Sequence, residues 1–166
     1  MAVGKSLGAG YAPIAATLMT DEVLDPIRKG TGLIMSGHTY SGHPLSCATA
    51  LRVLEVVEEE NLLANVTAQG DYLKANLTAL QKRFPIMHQV RGKGLLIGVE
   101  FDRSRKGFQA SLIERCFENG LLIYPAVGGP EGTDENGILI SPPFIITRAE
   151  CDTLLERLVK SLEECS

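Results

Sequence analysis

Lys5 is a lone amine among glycines, in the run Gly4-Lys5-Ser6-Leu7-Gly8-Ala9-Gly10-Tyr11-Ala12-Pro13. Three kinds of chemistry suit such a lysine. It can be a solvated charge on a loop. It can end a phosphate loop, because Gly4-Lys5-Ser6 matches the last three positions of G-x-x-x-x-G-K-S/T. It can also be a nucleophile that condenses with a carbonyl, which requires an amine partly desolvated or set near another cation. The phosphate-loop reading fails. Its first glycine has no counterpart, and Gly8-Ala9-Gly10 would break the helix whose N-terminus should hold the phosphates. The other two stand, and the flanking glycines favour close approach of a flat ring to the backbone.

A second segment, Ser36-Gly37-His38-Thr39-Tyr40-Ser41-Gly42-His43-Pro44, places hydroxyl side chains just before a helix start. Hydroxyls and backbone N–H groups in that position suit phosphate oxygens, and an ordinary helix lead-in has the same composition. His38 and His43 have no carboxylate close in sequence and only the single Cys47 nearby, so no metal site is expected.

These residues need elements to hold them. A chain of 166 residues can bury a core of ordinary size, and 45% hydrophobic with 22% charged residues describes a globular protein. A net charge of −4 gives no reason to expect nucleic acid or an anionic membrane as a partner. No apolar run approaches the ~20 residues that span a bilayer, and the glycine-rich start lacks the form of a signal peptide. Cys47, Cys116, Cys151 and Cys165 are scattered, as expected of reduced thiols in a cytoplasmic protein.

Seven of the 17 glycines fall within the first 42 residues, which read as loops and short strands without a core of their own. Asp21 is expected to cap a short helix ended by Gly30. Pro44 suits the first turn of a longer one with Ala48, Leu51, Leu54 and Val57 as its buried stripe. Leu62, Val66, Leu73, Leu77, Leu80 and Phe84 mark a further helix that stops before Pro85. Met87 to Arg91 and Leu95 to Phe101 read as a hairpin about Gly92-Lys93-Gly94. Phe108, Leu112, Ile113 and Cys116 mark a helix ended by Gly120. Leu121 to Tyr124 and Ile138 to Ile140 read as strands around a polar loop rich in Gly, Asp and Glu. Thr147-Arg148-Ala149-Glu150 has the form of a capping box, followed by a closing helix packed through Leu154, Leu155, Leu158 and Leu162.

Taken together, the two site segments resemble the class III (omega-type) pyridoxal-phosphate-dependent aminotransferases of fold type I. So do Val90-Arg91-Gly92-Lys93-Gly94-Leu95 with Gly98-Val99-Glu100-Phe101, Gly120-Leu121-Leu122-Ile123-Tyr124-Pro125, and Ile140-Ser141-Pro142-Pro143-Phe144-Ile145-Ile146-Thr147. The resemblance implies an α/β chain from the C-terminal part of such an enzyme. Residues 1–43 would be the trailing edge of the large domain that binds pyridoxal 5'-phosphate, 44–64 a connecting helix, and 65–166 a small α+β domain. Lys5 would condense with the cofactor aldehyde and later shuttle a proton. Thr39 would donate its hydroxyl to the cofactor phosphate across a homodimer interface, with His38 and Tyr40 lining the entrance.

The resemblance also implies a division of labour. The phosphate loop, the stacking aromatic ring and the aspartate paired with the ring nitrogen belong to an N-terminal half, so this chain by itself should not transaminate. Some family members carry an arginine where Tyr124 stands here, to grip a substrate carboxylate. Tyr124 is therefore expected to offer one neutral hydrogen bond, and Arg91 is the remaining candidate for a carboxylate or a structural ion pair. The implied substrates are a primary amine or amino acid and a keto acid. Two alternatives stay open: a non-catalytic binding or assembly module, and a family member that decarboxylates or migrates the amino group.

Overall fold

The computed structural model describes residues 1–127 and 136–165. It divides into two units, Met1–Asn61 and Leu62–Ser166. In the first, strands β1 (Ala2–Val3) and β2 (Ala16–Thr17) pair antiparallel, with Ala2 opposite Thr17 and Val3 opposite Ala16. Between them Lys5–Gly8 forms a single 3-10 turn. Helix α1 (Asp21–Lys29) follows, then α2 (Pro44–Glu59).

Helix α1 begins at the residue expected to cap it, one position earlier than expected. Thr20, in extended backbone, is the N-cap, and Asp21 is the first helical residue. There its carboxylate still favours the positive end of the helix dipole. In α2, Pro44 takes the first position as expected, but the expected stripe is wrong. Ser46 and Ala50 are the buried residues, while Ala48, Leu51 and Leu54 are exposed and Val57 is half-buried. Apolar residues lie around most of this helix, so spacing alone does not choose a face. The 3-10 turn packs on α2, a contact distant in sequence that spacing cannot reveal.

The second unit carries the core. Helix α3 (Leu62–Leu80) precedes β3 (Met87–Lys93), β4 (Leu96–Phe101), α4 (Phe108–Glu118), β5 (Tyr124–Ala126), β6 (Gly137–Ile140) and α5 (Arg148–Cys165). The four strands form an antiparallel sheet in the order β3-β4-β6-β5. A register shift between Met87 and Gln89 bulges β3. Leu73, Leu77, Ile97, Phe101, Leu112, Ile138, Ile140, Leu158 and Leu162 are almost wholly buried between the sheet and the helices. Phe101 and Phe108 meet edge to face at 5.0 Å, the favoured geometry for aromatic pairs.

The hairpin forms as expected, with its turn one step along. Lys93 pairs with Leu96, leaving Gly94-Leu95 at the bend. Gly94 has φ 56°, and its Cα lies against α3. The stretch beginning at Leu121 becomes a strand only at Tyr124. The Leu121 N–H instead donates to the Cys116 carbonyl at 2.7 Å, and that of Gly120 to Phe117 at 2.9 Å, about Gly120 with φ 77°. This pairing ends helices, so Leu121 belongs to the stop of α4.

The capping box at α5 is complete. Thr147 donates from its N–H and from its hydroxyl to Glu150 at 2.8 Å, and the Glu150 N–H returns a bond to Thr147 Oγ1 at 3.3 Å. The polar loop rich in Gly, Asp and Glu lies outside the described residues apart from Asn136. No described helix is long and apolar enough to cross a membrane.

Candidate functional site

Lys5 opens the 3-10 turn with φ 51°, in the left-handed region that a lysine rarely adopts. Such a conformation is destabilising by ~1–3 kcal/mol and persists where the surroundings fix it. Here they do. The paired strands β1 and β2 anchor both sides, Leu7 donates to the Gly4 carbonyl at 3.2 Å, and Ala9 donates to Ser6 at 3.0 Å. Gly8 is buried, and a Cβ on it would lie 3.1 Å from the Ile14 side chain. The Lys5 side chain is exposed and, among the described residues, makes no hydrogen bond or ion pair. The turn fixes where the amine sits, while the side chain itself is exposed, so the partial desolvation that a nucleophilic lysine requires is not supplied by the described residues.

The second segment is braced from within. Ser41 donates its N–H to the His38 carbonyl at 2.9 Å, and its hydroxyl accepts from the His38 N–H at 3.1 Å. His43 donates its N–H to the Tyr40 carbonyl at 3.1 Å, a second turn with Gly42 at φ 71°. Thr39 sits at the tip of the first turn. Its hydroxyl is exposed and, among the described residues, has no partner, whereas Ser41 is engaged in the loop. One free hydroxyl on a braced turn suits a phosphate oxygen. His38 and Tyr40 flank it, both exposed.

His43 has a role that its residue type alone did not suggest. It is the N-cap of α2, and its Nδ1 accepts from the Ser46 N–H at 3.4 Å and lies 3.3 Å from the Ser46 hydroxyl. An amide N–H only donates, so Nδ1 is the acceptor in this capping contact. The clue in the sequence was position: a residue directly before a helix-starting proline is an N-cap.

The two residues expected to meet substrate lie in the second unit. Tyr124 opens β5 opposite Leu139 and is exposed. Arg91, in β3, donates to Glu100 Oε2 at 2.7 Å and to Gln89 Oε1 at 2.6 Å. The Arg91 guanidinium, helped by Arg103, holds the Glu100 carboxyl below the usual carboxylate range against the opposing effect of burial. One nitrogen of the Arg91 fork is thus committed inside the sheet. Among the described residues no three His, Cys, Asp or Glu side chains gather as for a metal ion.

The family model described as Aminotransferase class-III matches residues 1–162 of this sequence. The chain belongs to the class III aminotransferases. An uncharacterized aminotransferase of Bacillus subtilis, YodT, is 38% identical over an alignment of 162 residues that covers 92% of this chain and 36% of that protein. An amine transaminase from an uncultivated Pseudomonas species, solved with PLP bound, is 33% identical with a TM-score of 0.87, over 99% of this chain and 38% of that one. A transaminase from the marine bacterium Virgibacillus is 27% identical with a TM-score of 0.91, over 99% and 39%. This class III chain therefore spans little more than a third of the relatives it matches, and its fold is that of the corresponding part of PLP transaminases.

Proposed function

We propose that this class III chain provides the lysine, the phosphate-facing threonine and the small domain of a pyridoxal-phosphate-dependent aminotransferase. In this reading residues 1–43 end the cofactor-binding domain, 44–64 connect, and 65–166 form the small α+β domain. The observation that carries the reading is the family match from residue 1 to 162, which takes in Lys5 on its left-handed turn. The rest of the enzyme, on the same polypeptide or another, would supply the remaining walls of the site.

The cofactor, when bound, supplies an aldehyde carbon and an electron-withdrawing ring that makes a substrate C–H acidic. The residues of this chain do the rest of their share as follows. Lys5 Nζ, when neutral, is the nucleophile, and once released it holds and returns the proton removed from the substrate carbon. Thr39 Oγ1 donates to a phosphate oxygen of the site in a second copy of the enzyme, which makes the working unit a homodimer. His38 and Tyr40 flank that entrance. Tyr124 offers one neutral hydrogen bond, and the Arg91 fork is held by Glu100 and Gln89. That arrangement favours amines and ω-amino compounds as donors alongside amino acids, with a keto acid as acceptor.

The test is covalent labelling. After incubation with pyridoxal 5'-phosphate and borohydride, mass spectrometry should find a pyridoxyl group on Lys5 when the N-terminal half is co-expressed. The 166-residue chain alone should show none. A label on the isolated chain overturns the need for the other half, and an unlabelled Lys5 in the assembled enzyme overturns the reading. With pyruvate as acceptor, nitrogen should appear in alanine as the donor is consumed, without release of carbon dioxide.

A further inference from the structure

The loop that presents Thr39 is held from within and from the start of α2. No described hydrogen bond joins the Thr39 side chain to anything, and its neighbours His38, Tyr40 and Ser41 are exposed. Its order comes from two consecutive turns, and the second of them ends on His43. His43 joins that turn to α2 three times over. Its N–H closes the turn onto Tyr40 at 3.1 Å, its carbonyl accepts the first helical bond from Cys47 at 3.0 Å, and its Nδ1 takes the N–H of Ser46. The ring also meets Tyr40 edge to face at 5.9 Å. Ser46, on the receiving side, is among the few buried residues of α2.

We infer that His43 is a positioning residue for the cofactor phosphate: by capping α2 through Nδ1 it fixes the direction in which Thr39 offers its hydroxyl. The inference rests on the reading of Thr39 as a phosphate ligand. The physical reason is entropic. A hydroxyl on a loose loop must be ordered when it binds, and that ordering subtracts from affinity, whereas a loop pinned to a helix start is ordered beforehand. Asparagine is a better N-cap than alanine because its side-chain oxygen accepts the same N–H. It has no ring to meet Tyr40, so it isolates the capping contribution.

The experiment uses the assembled enzyme and two probes, pyridoxal 5'-phosphate and pyridoxal, which lacks the phosphate. Binding is followed by cofactor absorbance for wild type, Thr39→Val, His43→Ala, His43→Asn and the double variant Thr39→Val/His43→Ala. Thr39→Val and His43→Ala should each weaken pyridoxal 5'-phosphate roughly tenfold and leave pyridoxal unchanged. The double variant should be no weaker than Thr39→Val alone, because His43 acts through Thr39. His43→Asn should retain most of the affinity. In the isolated chain, amide exchange at Ser46 should quicken in His43→Ala and not in His43→Asn.

If Thr39→Val leaves phosphate binding intact, the reading of Thr39 fails and the inference with it. If Thr39→Val weakens phosphate binding but His43→Ala weakens both probes alike, or weakens neither, the inference alone is overturned. Failure of His43→Asn to restore affinity also overturns it, since the acceptor at the cap is then not what matters.

Discussion

Replacing Gly70 with alanine opposes two effects on α3, and the structure decides which wins. In an isolated helix alanine is favoured over glycine by about 1 kcal/mol. A Cβ at Gly70, however, would lie 2.4 Å from both the carbonyl carbon and the oxygen of Gly94 and 2.7 Å from its Cα. Carbon atoms attract at ~3.5–4.0 Å, so helix and hairpin would have to part by about 1 Å. Neither surface is a flexible side chain. The hairpin is pinned by its register from Lys93 opposite Leu96 to Val90 opposite Val99, and Ile97 beneath it is wholly buried. Overpacking of this kind is destabilising by ~1–3 kcal/mol, with rigid backbone contacts at the upper end. Gly70→Ala should therefore lose about 2 kcal/mol net, and Tm should fall by roughly 10 °C in a unit of about 100 residues. Urea and thermal unfolding followed by circular dichroism measure both quantities. Ala68→Gly, at an exposed position of the same helix, gives the propensity alone and should lose about 1 kcal/mol. If Gly70→Ala unfolds at or above the wild-type temperature, the close approach of α3 to the hairpin is refuted.

Other expectations follow from single contacts. Leu112→Ala, at a fully buried site in α4, should lose ~2–5 kcal/mol in the same unfolding assays. Glu100 titrates below its ordinary value in the folded chain because of Arg91. Its contribution to stability is therefore present above the ordinary carboxylate range and lost as pH falls through the depressed folded value. The fall in urea midpoint between pH 5 and pH 3 should shrink in Glu100→Gln, and because Arg91 is largely exposed the pair should contribute no more than about 1 kcal/mol. Burial holds the Cys116 and Cys151 thiols above the usual range. An aromatic disulfide reagent should therefore label exposed Cys47 quickly and reach those two only on unfolding. Gly42→Ala should loosen the Thr39 loop, because Gly42 has φ 71°; amide exchange in residues 38–43 should quicken while the Tm of the second unit stays unchanged.

The second unit was readable from residue patterns because its signals are local and agree with one another. Leu73 and Leu77 are one turn apart, Gly120 stops α4, and Thr147 and Glu150 cap each other, each through contacts within a few residues. The first unit was not so readable. In α2 the periodicity of Ala48, Leu51 and Leu54 pointed to the wrong face: Ser46 and Ala50 are the buried residues, on a helix whose packing partner is a turn some forty residues earlier. Composition ranked Lys5 and Thr39 as chemistry-bearing but could not show that their side chains are unpartnered. The left-handed φ of Lys5 has no local signature, because lysine is not a residue that asks for it. His43 was weighed as a metal ligand when its place before Pro44 already marked it as a cap.

The four-stranded sheet ends on both sides in strands that resist extension. Pro125 sits in the middle of β5 opposite Ile138, where it brings no N–H to offer a newcomer. On the far side β3 is bulged near Met87 and carries Arg91 and Lys93, cationic side chains that discourage an approaching backbone. A neighbouring backbone would thus meet a proline at one edge of the sheet and a bulge with cationic side chains at the other, both poor templates for strand addition.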